Sequence, residues 1–450
     1  MKEETKIILH DENSANNPEC PHGPTLMFSR GVGARRFFAC SAYRDRKDCE
    51  FYLGEDDKIT AGKKLAWSIA KEKLLPKVDF ENLKATRKKV FSETPKKRAY
   101  CHTCNCLFLT DEGKSEHKNH DLFTNLSDQM LHHPSKFIKM KESSKKESQF
   151  LFDNSTIECL LSGLGHLDVE KLMCIGTPSL KENSKIPSML LDIDHRYATF
   201  YDDKEFQWFN MSNFHFFSQT GLENLKNFFY NSKSALVIDP PFGALIQPIA
   251  TTVQKIVAEC NLVDPPVLLI LPYFMEKQVL NHFPDFTMLD YEVNYVNHDK
   301  FNTGGRKLGS PVRIFTNLKK FTLPESQGYR FCKICDKWVS VKNRHCKECN
   351  DCTSKNGSTY KHCLVCDKCV KPSWEHCDVC QRCTLANHDC SSDGNPLVGN
   401  PFKRKMKFDA ETKSKKSKNS KKNKSSKYHN FILVISPLSI PPLTCAGPSR

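Results

Sequence analysis

Between residues 145 and 320 the chain alternates short runs of aliphatic and β-branched residues with longer amphipathic stretches. Residues 171–176 read as a strand closed by a glycine turn, and residues 188–194 as a second strand ending in acids. Residues 235–239 form a third and 266–272 a fourth. Strands apolar at nearly every position are buried on both faces, as in a parallel sheet. Residues 286–295 and 311–316 are expected to close that sheet as a hairpin. Helical periodicity returns between several of these runs, as over 247–260. The pattern predicts an α/β fold with a doubly wound sheet. Outside this window apolar residues thin out. Residues 60–99 are charged, with one helical stretch over 64–75 whose Leu65, Trp67 and Ile69 are expected to pack.

Cysteine changes the picture for the remainder. The chain has 450 residues and 22 cysteines. Residues 1–19 are polar and charged, without the apolar run of a secretory leader. The late apolar run 431–443 is proline-broken and shorter than the roughly 20 residues a bilayer requires. A soluble, intracellular chain with no membrane association is expected, where Cys-x-x-Cys reads as zinc ligation rather than disulfide. Over 18–58, Cys20, His22, Cys40 and Cys49 supply four donors for one closed tetrahedral site. Phe28, Arg30, Arg35, Arg36, Phe37, Phe38, Phe51 and Tyr52 are interleaved with them. Arginines and rings suit the phosphates and bases of a single strand, although some rings must form the module's own core. Over 98–135, Cys101 and Cys104 are followed by His117 and His120, a tighter second pair than the usual zinc finger has. Cys106, His132 and His133 stand as substitutes there.

The region 330–392 is an internal repeat. His345-Cys346-x-x-Cys349-x-x-Cys352 recurs as His362-Cys363-x-x-Cys366-x-x-Cys369 and again as His376-Cys377-x-x-Cys380-x-x-Cys383. Cys332-x-x-Cys335 precedes the set and His388-x-Cys390 follows it. Twelve cysteines and four histidines with so little apolar sequence between them imply that metal is most of this core. Three or four zinc ions fit here, about five to six in the whole chain at four ligands each. How the repeated ligands pair is left open by the spacing.

The candidate chemistry lies in Ser-Ala-Leu-Val-Ile-Asp239-Pro240-Pro241-Phe242, residues 234–242. The buried strand is cut off by an acid, two prolines and a ring, and strand carboxyl ends are where open α/β sheets bind ligands. A plain turn after a core strand would also use prolines. Asp239-Pro240-Pro241-Phe242 resembles the catalytic motif of S-adenosylmethionine-dependent amino methyltransferases, which methylate the exocyclic amine of adenine or, less often, of cytosine. The resemblance implies that the Asp239 carboxylate and the Pro240 carbonyl each accept an N–H of the amine. Its lone pair then turns toward the methyl group, while Pro241 stiffens the loop and Phe242 stacks on the base. The wider likeness is to class I methyltransferases. It implies that Cys174-Ile-Gly176-Thr177 stands at the cofactor's glycine turn, although it departs from Gly-x-Gly-x-Gly. Asp192, with Asp194 in reserve, takes the ribose hydroxyls, and Phe209-Asn210-Met211 lies at the adenine. Gln149-Phe150-Leu151-Phe152 covers the cofactor, and Asp239 borders it.

Gly33-Ala34-Arg35-Arg36-Phe37-Phe38 before Cys40 resembles a GRF-type zinc finger, a family that binds single-stranded nucleic acid. The cysteine repeats resemble the cysteine-rich part of DHHC acyltransferases, but Trp374-Glu-His-Cys377 and the absence of spans argue against acyl transfer. Cys380-x-x-Cys383-x4-His388 starts like a CCHC knuckle and ends too early. A clamp on the catalytic domain and direct RNA contact are equal expectations for this region. A net charge of +15 fits a polyanion, and the lysine-rich low-complexity segment 400–450 is expected to be a disordered tail for nuclear import or loose RNA attachment. The apolar end after Asn430 has no functional account. In combination the modules look like the zinc-finger rRNA N6-adenosine methyltransferases, which implies ribosomal RNA as substrate and a nuclear, nucleolar location, with the cytoplasm as a second one. A non-catalytic zinc-dependent RNA-binding protein is the alternative, supported by the incomplete glycine turn; a RING-like ligase fits the repeat spacing poorly.

Overall fold

The computed structural model describes residues 7–10, 16–43, 46, 48–75, 77–113, 115–139, 150–298, 309–388 and 390. Gln149 and the basic tail, residues 400–450, lie outside the described residues. The centre is an eight-stranded sheet. Its strands are β1 (Lys171–Ile175), β2 (Ser188–Asp192), β3 (Phe206–Asn210), β4 (His215–Phe216), β5 (Ser234–Ile238), β6 (Val267–Pro272), β7 (Thr287–Met288) and β8 (Val312–Thr316). The order is β4-β3-β2-β1-β5-β6-β8-β7. Strands β3, β2, β1, β5 and β6 run parallel, and β8 returns antiparallel beside β6. The order therefore reverses between β1 and β5, the kind of switch point whose carboxyl-end crevice takes ligands.

Alternation along the strands sorts the core into two layers. Leu172, Cys174, Ala235, Val237, Leu268 and Ile270 face one side, against the Asn154–Gly165 helix. Met173, Ile175, Leu236, Ile238, Leu269 and Leu271 face the other, against the Ile246–Glu259 and Gly221–Phe229 helices. Every residue of β5 is buried, so its end can present Asp239 only at the sheet's rim.

Three expectations are corrected. The chain over 206–210 is a buried strand, where the sequence suggested only a cofactor contact. The closing hairpin is shorter than 286–295: β7 has two residues, after which only the Leu289 and Val293 amides reach β8, at Ile314 and Val312. The first helix spans Ala61–Leu74 and is capped by the Thr60 hydroxyl, but only Trp67 packs, its ring 4.5 Å from Phe51. Leu65 and Ile69 are 63% and 44% exposed. A second helix, Phe80–Ser92, starts where the Asp79 carboxylate accepts the Asn82 amide.

Small sheets carry the cysteine-rich modules. A four-stranded sheet holds the first, a three-stranded sheet the second, and three hairpins the C-terminal repeats. At five Cys-x-x-Cys knuckles the next residue is left-handed: Asn105, Asp336, Asn350, Asp367 and Gln381, with φ between 46° and 57°. Asparagine and aspartate tolerate that conformation best among side-chain-bearing residues, which explains their recurrence.

Polar contacts seat each module on the sheet. Asn210 and Asn213 both donate to the His22 carbonyl, at 2.9 and 3.1 Å. Glu182 accepts from the Ser135 amide at 2.8 Å and from its hydroxyl. Asp290 accepts from the Ser340 amide and the Asn343 side chain, at 2.9 and 2.8 Å.

Candidate active site and metal centres

The turn after β1 and the segment after β5 meet. Gly176 has φ +69°, and a Cβ there would lie 2.9 Å from the Asp239 carbonyl oxygen and 3.1 Å from Met211 Cε. Only glycine fits that approach, so the single glycine of Cys174-Ile-Gly176-Thr177 is the one the geometry requires. The Asp239 amide donates to the Ile175 carbonyl at 3.0 Å, locking the two turns together. Cys174 itself points into the core; burial pushes its thiol up to about 12, and its side chain faces no ligand crevice. Thr177 is 1% exposed, and its hydroxyl has no partner among the described residues. A close-packed glycine turn beside an orphaned buried hydroxyl fits a polar ligand such as S-adenosylmethionine.

The two acids after β2 separate. Asp194 is fully buried and grips Arg196 through contacts of 2.6 to 3.0 Å, so its carboxylate is occupied and the reserve role in ribose binding is withdrawn. Asp192 accepts the Asp194 amide at 2.8 Å through Oδ1 and lies at the carboxyl end of β2. Asn210 is also reassigned. Its side chain is 2% exposed and donates to the His22 carbonyl and the Ser41 hydroxyl, so it holds the first zinc module, while Met211 faces the glycine turn.

Asp239 sits half-buried at the mouth of β5, and its Oδ1 accepts the Tyr295 hydroxyl at 3.0 Å. Burial raises its carboxyl well above the ordinary carboxylate range, with the Tyr295 hydrogen bond opposing the shift. Burial, reinforced by the adjacent carboxylate, raises Tyr295 too, which keeps it a phenol that donates. Pro240 is buried, and among the described residues nothing donates to its carbonyl. Pro241 accepts the Ala244 amide at 2.7 Å, closing the loop that presents half-buried Phe242.

Phe150, Leu151 and Phe152 form the opposite wall. Leu151 donates to Asn297 Oδ1 and accepts from the Val296 amide, at 2.9 and 2.8 Å, and the Phe152 amide donates to Ser179. The Phe150 ring lies 4.1 Å from His298, 5.6 Å from Tyr295 and 5.7 Å from Phe242. Tyr295, bonded to Asp239, thus belongs to one ring cluster with Phe150, Phe242 and His298. Sequence reasoning missed Tyr295, Asn297 and His298. Its one available signal was the alternation of Tyr291, Val293 and Tyr295, which marks an extended segment but not its destination.

Six groups of metal-ligating side chains occur among the described residues. Cys20, His22, Cys40 and Cys49 meet in the first module, and Cys101, Cys104, His117 and His120 in the second. Cys106, His132 and His133 stay outside the second set; His132 instead packs edge-on to Phe91. In the repeats the ligands are staggered. Cys332 and Cys335 join His345 and Cys352, Cys346 and Cys349 join His362 and Cys369, and Cys363 and Cys366 join His376 and Cys383. Cys377 lies 3.7 Å from Cys390, and Cys380 lies 3.5 Å from His388. Each repeat thus gives its histidine and last cysteine to the preceding group and its first two cysteines to the next.

The donor spacing tests the metal. A tetrahedral zinc with bonds of about 2.0–2.3 Å sets its ligands roughly 3.5–3.8 Å apart. Observed separations include 3.5 Å for Cys40–His22, 3.6 Å for Cys104–His117, 3.8 Å for Cys349–Cys369 and 3.6 Å for Cys366–Cys383. Disulfides would bring sulfurs to about 2.05 Å. The geometry fits zinc.

The first module also sorts its rings and cations. Phe28 and Phe51 are buried, while Phe37 stacks at 5.0 Å on exposed Tyr52. Arg35 and Arg36 are 62% and 48% exposed and pair with Asp57 and Glu55, both at 2.7 Å. No helix among the described residues is long and apolar enough to cross a membrane.

Residues 143–319 match a family model described as probable N6-adenine methyltransferase. The chain is 38% identical over 383 residues to the human (Homo sapiens) rRNA N(6)-adenosine-methyltransferase ZCCHC4, spanning 78% of this chain and 74% of that protein. It is 40% identical over 370 residues to the Xenopus tropicalis protein of the same name, spanning 76% and 75%. Against the Mus musculus protein it is 39% identical over 371 residues, spanning 76% and 72%.

Proposed function

Because this chain belongs to the rRNA N6-adenosine-methyltransferase family of these relatives, we propose that it methylates N6 of an adenosine in ribosomal RNA with S-adenosylmethionine. The observation that carries the reading is the placement of Asp239-Pro240-Pro241-Phe242 at the carboxyl end of β5, against the Gly176 turn. S-adenosylmethionine supplies, when bound, an electrophilic methyl group on a sulfonium. Gly176 and Thr177 would hold its methionine end and Asp192 its ribose.

An exocyclic N6 is a poor nucleophile because its lone pair is delocalised into the ring. Two acceptors held at fixed positions, the Asp239 carboxylate and the Pro240 carbonyl, orient its two N–H bonds and leave the lone pair directed at the methyl group. Most of the rate gain is then positional. Tyr295 fixes the Asp239 carboxylate by donating to Oδ1, so the remaining oxygen faces the amine. N6 turns cationic as the new bond forms, and a carboxylate whose proton affinity burial has raised is suited to receive its proton. Phe242 and Phe150 offer ring faces to an extruded base, which excludes water. Six zinc sites hold the modules that present the RNA, with Arg35, Arg36 and Tyr52 exposed on the first and Phe37 stacked on Tyr52. Substrate class and the basic residues 403–427 both support action in the nucleus and nucleolus.

The test is transfer of labelled methyl from S-adenosylmethionine to ribosomal RNA lacking the modification, beside equal amounts of DNA and of unstructured RNA. Label in ribosomal RNA above both controls supports the reading. Equal labelling of all three, or none, overturns it.

A further inference from the structure

Away from the Asp239 site, a cavity of about 280 Å³ opens where the Phe80–Ser92 helix, the second zinc module and the rim of the central sheet converge. The helix lines it with Lys84, Arg87, Lys88 and Phe91; His132 comes from the second module, and Phe200 and Glu205 from the segments before β3. The volume is at the low end of ligand sites, about 300–1,000 Å³. It has room for one base or one phosphate with its sugar.

Three cations and one carboxylate line it. Arg87 is half-buried, and its Nη1 donates to the carbonyls of Ala198 and Tyr201, which fixes the guanidinium; its Nε and Nη2 have no partner among the described residues. Lys84 and Lys88 are exposed, stand one turn apart on the same face and form no ion pair with any described residue. Their neighbours differ: Lys89 pairs with Glu112, Lys97 with Glu93 and Arg98 with Asp128. Asp202, Glu205 and Asp203 all act on Arg87 electrostatically; of these only Glu205 lines the cavity, and it is 3.2 Å from Lys181, which leaves Lys84 and Lys88 as the cations open to a ligand. Like charges at that spacing repel along a helix, and an anion seated between them would relieve the repulsion. Phe200 is a buried apolar floor, and Phe91 with His132 edge-on to it at 5.8 Å gives an aromatic corner.

We propose that this cavity is a subsite for one nucleotide of single-stranded RNA flanking the target adenosine, with its phosphate on Arg87, Lys84 and Lys88 and its base against Phe91 and His132. The proposal rests on the RNA-methyltransferase reading above. It extends that reading by adding a grip outside the zinc-ligating loops. Glu205, held by Lys181, offers an acceptor to a base amino group.

The test uses the full zinc-replete chain and a ribosomal RNA fragment containing the unmodified adenosine, with binding measured by anisotropy over a range of salt. Lys84→Glu/Lys88→Glu is expected to weaken binding at least tenfold and to flatten the slope of log K against log salt by about 0.7, the value for one phosphate on a single strand. His132→Ala is expected to weaken binding without altering that slope. Lys319→Glu/Lys320→Glu, exposed and remote in sequence, is the charge control. Zinc content and cofactor affinity should match wild type in all variants. Wild-type affinity and slope in Lys84→Glu/Lys88→Glu, or an equal effect from the control pair, overturns the subsite even if the enzyme methylates RNA normally. If the variants lose RNA as expected but wild type transfers no methyl, the subsite stands and the methyltransferase reading falls.

Discussion

Asp239→Asn isolates the charge at the centre of the site. The side chain keeps its volume, and Asn Oδ1 can still accept the Tyr295 hydroxyl now 3.0 Å from Asp239 Oδ1. What changes is the other end of the group, where an acceptor for the adenine N6–H becomes an NH2 donor pointing at another donor. A hydrogen bond to a charged group contributes about 1.5–3 kcal/mol. Loss of one preorganised electrostatic contact in an active site costs about 2.7–4 kcal/mol, or 10²–10³ in rate. The two figures overlap at about 3 kcal/mol, a fall of about a hundredfold in single-turnover transfer. Stability should move the other way. Burial raises the native Asp239 value above that of the unfolded chain, so the native state holds this proton more tightly. Stability from this group is present below the unfolded carboxylate range and declines as pH rises toward the native value. At neutral pH an ionised Asp239 is therefore a cost that asparagine removes, and the melting temperature should be equal or higher. Wild-type transfer should fail on acidification above the ordinary aspartate range, near about 3.9, as the carboxylate is protonated. Single-turnover transfer, cofactor calorimetry and thermal melting would be run together, with Asp239→Ala alongside. A folded, cofactor-binding Asp239→Asn chain that transfers methyl at near wild-type rate would refute the reasoning.

Elemental analysis of metal-replete protein should find close to six zinc ions per chain, matching the six ligand groups; three or fewer would contradict the staggered assignment. Chelation should unfold the C-terminal repeats first, because few apolar residues pack there. Charge reversal at Arg35 and Arg36 breaks only exposed, solvent-screened pairs, so folding should survive while RNA binding weakens and its salt slope flattens; unchanged binding would make the first module a structural element. Asp192→Ala should raise the cofactor dissociation constant far more than it slows saturated transfer, and calorimetry showing wild-type affinity would remove Asp192 from the ribose site.

The sheet's parallel heart was readable because β1, β2, β5 and β6 are nearly unbroken aliphatic runs. Strand β3, Phe206-Gln-Trp-Phe-Asn210, escaped because its burial rests on aromatic contacts such as Trp208 on Phe217 at 4.2 Å, and a motif expectation had already claimed its end. The Phe80–Ser92 helix escaped for a related reason. It buries Val90 completely but has little else apolar, and tertiary contact supplies the remainder. Zinc ligands were legible from spacing, but pairing was not. The left-handed residue after each knuckle and the hairpin that follows decide which histidine swings back, and that shifts ligation across repeat boundaries. At the candidate active site, Asp239 and Gly176 stand out in sequence because proline and glycine restrict backbone. Tyr295, 56 residues away, reaches Asp239 through the return of the chain beside Phe152, which no local pattern encodes.

The most direct test of the account is identification of the product. Ribosomal RNA lacking the modification would be incubated with the purified full chain and methyl-labelled S-adenosylmethionine, digested to nucleosides and resolved by mass spectrometry. The account predicts that label appears as N6-methyladenosine at a single site, and that Asp239→Ala protein, folded and still binding cofactor, produces almost none. Label on cytosine or on a ribose hydroxyl, or undiminished N6-methyladenosine from the Asp239→Ala chain, would contradict it.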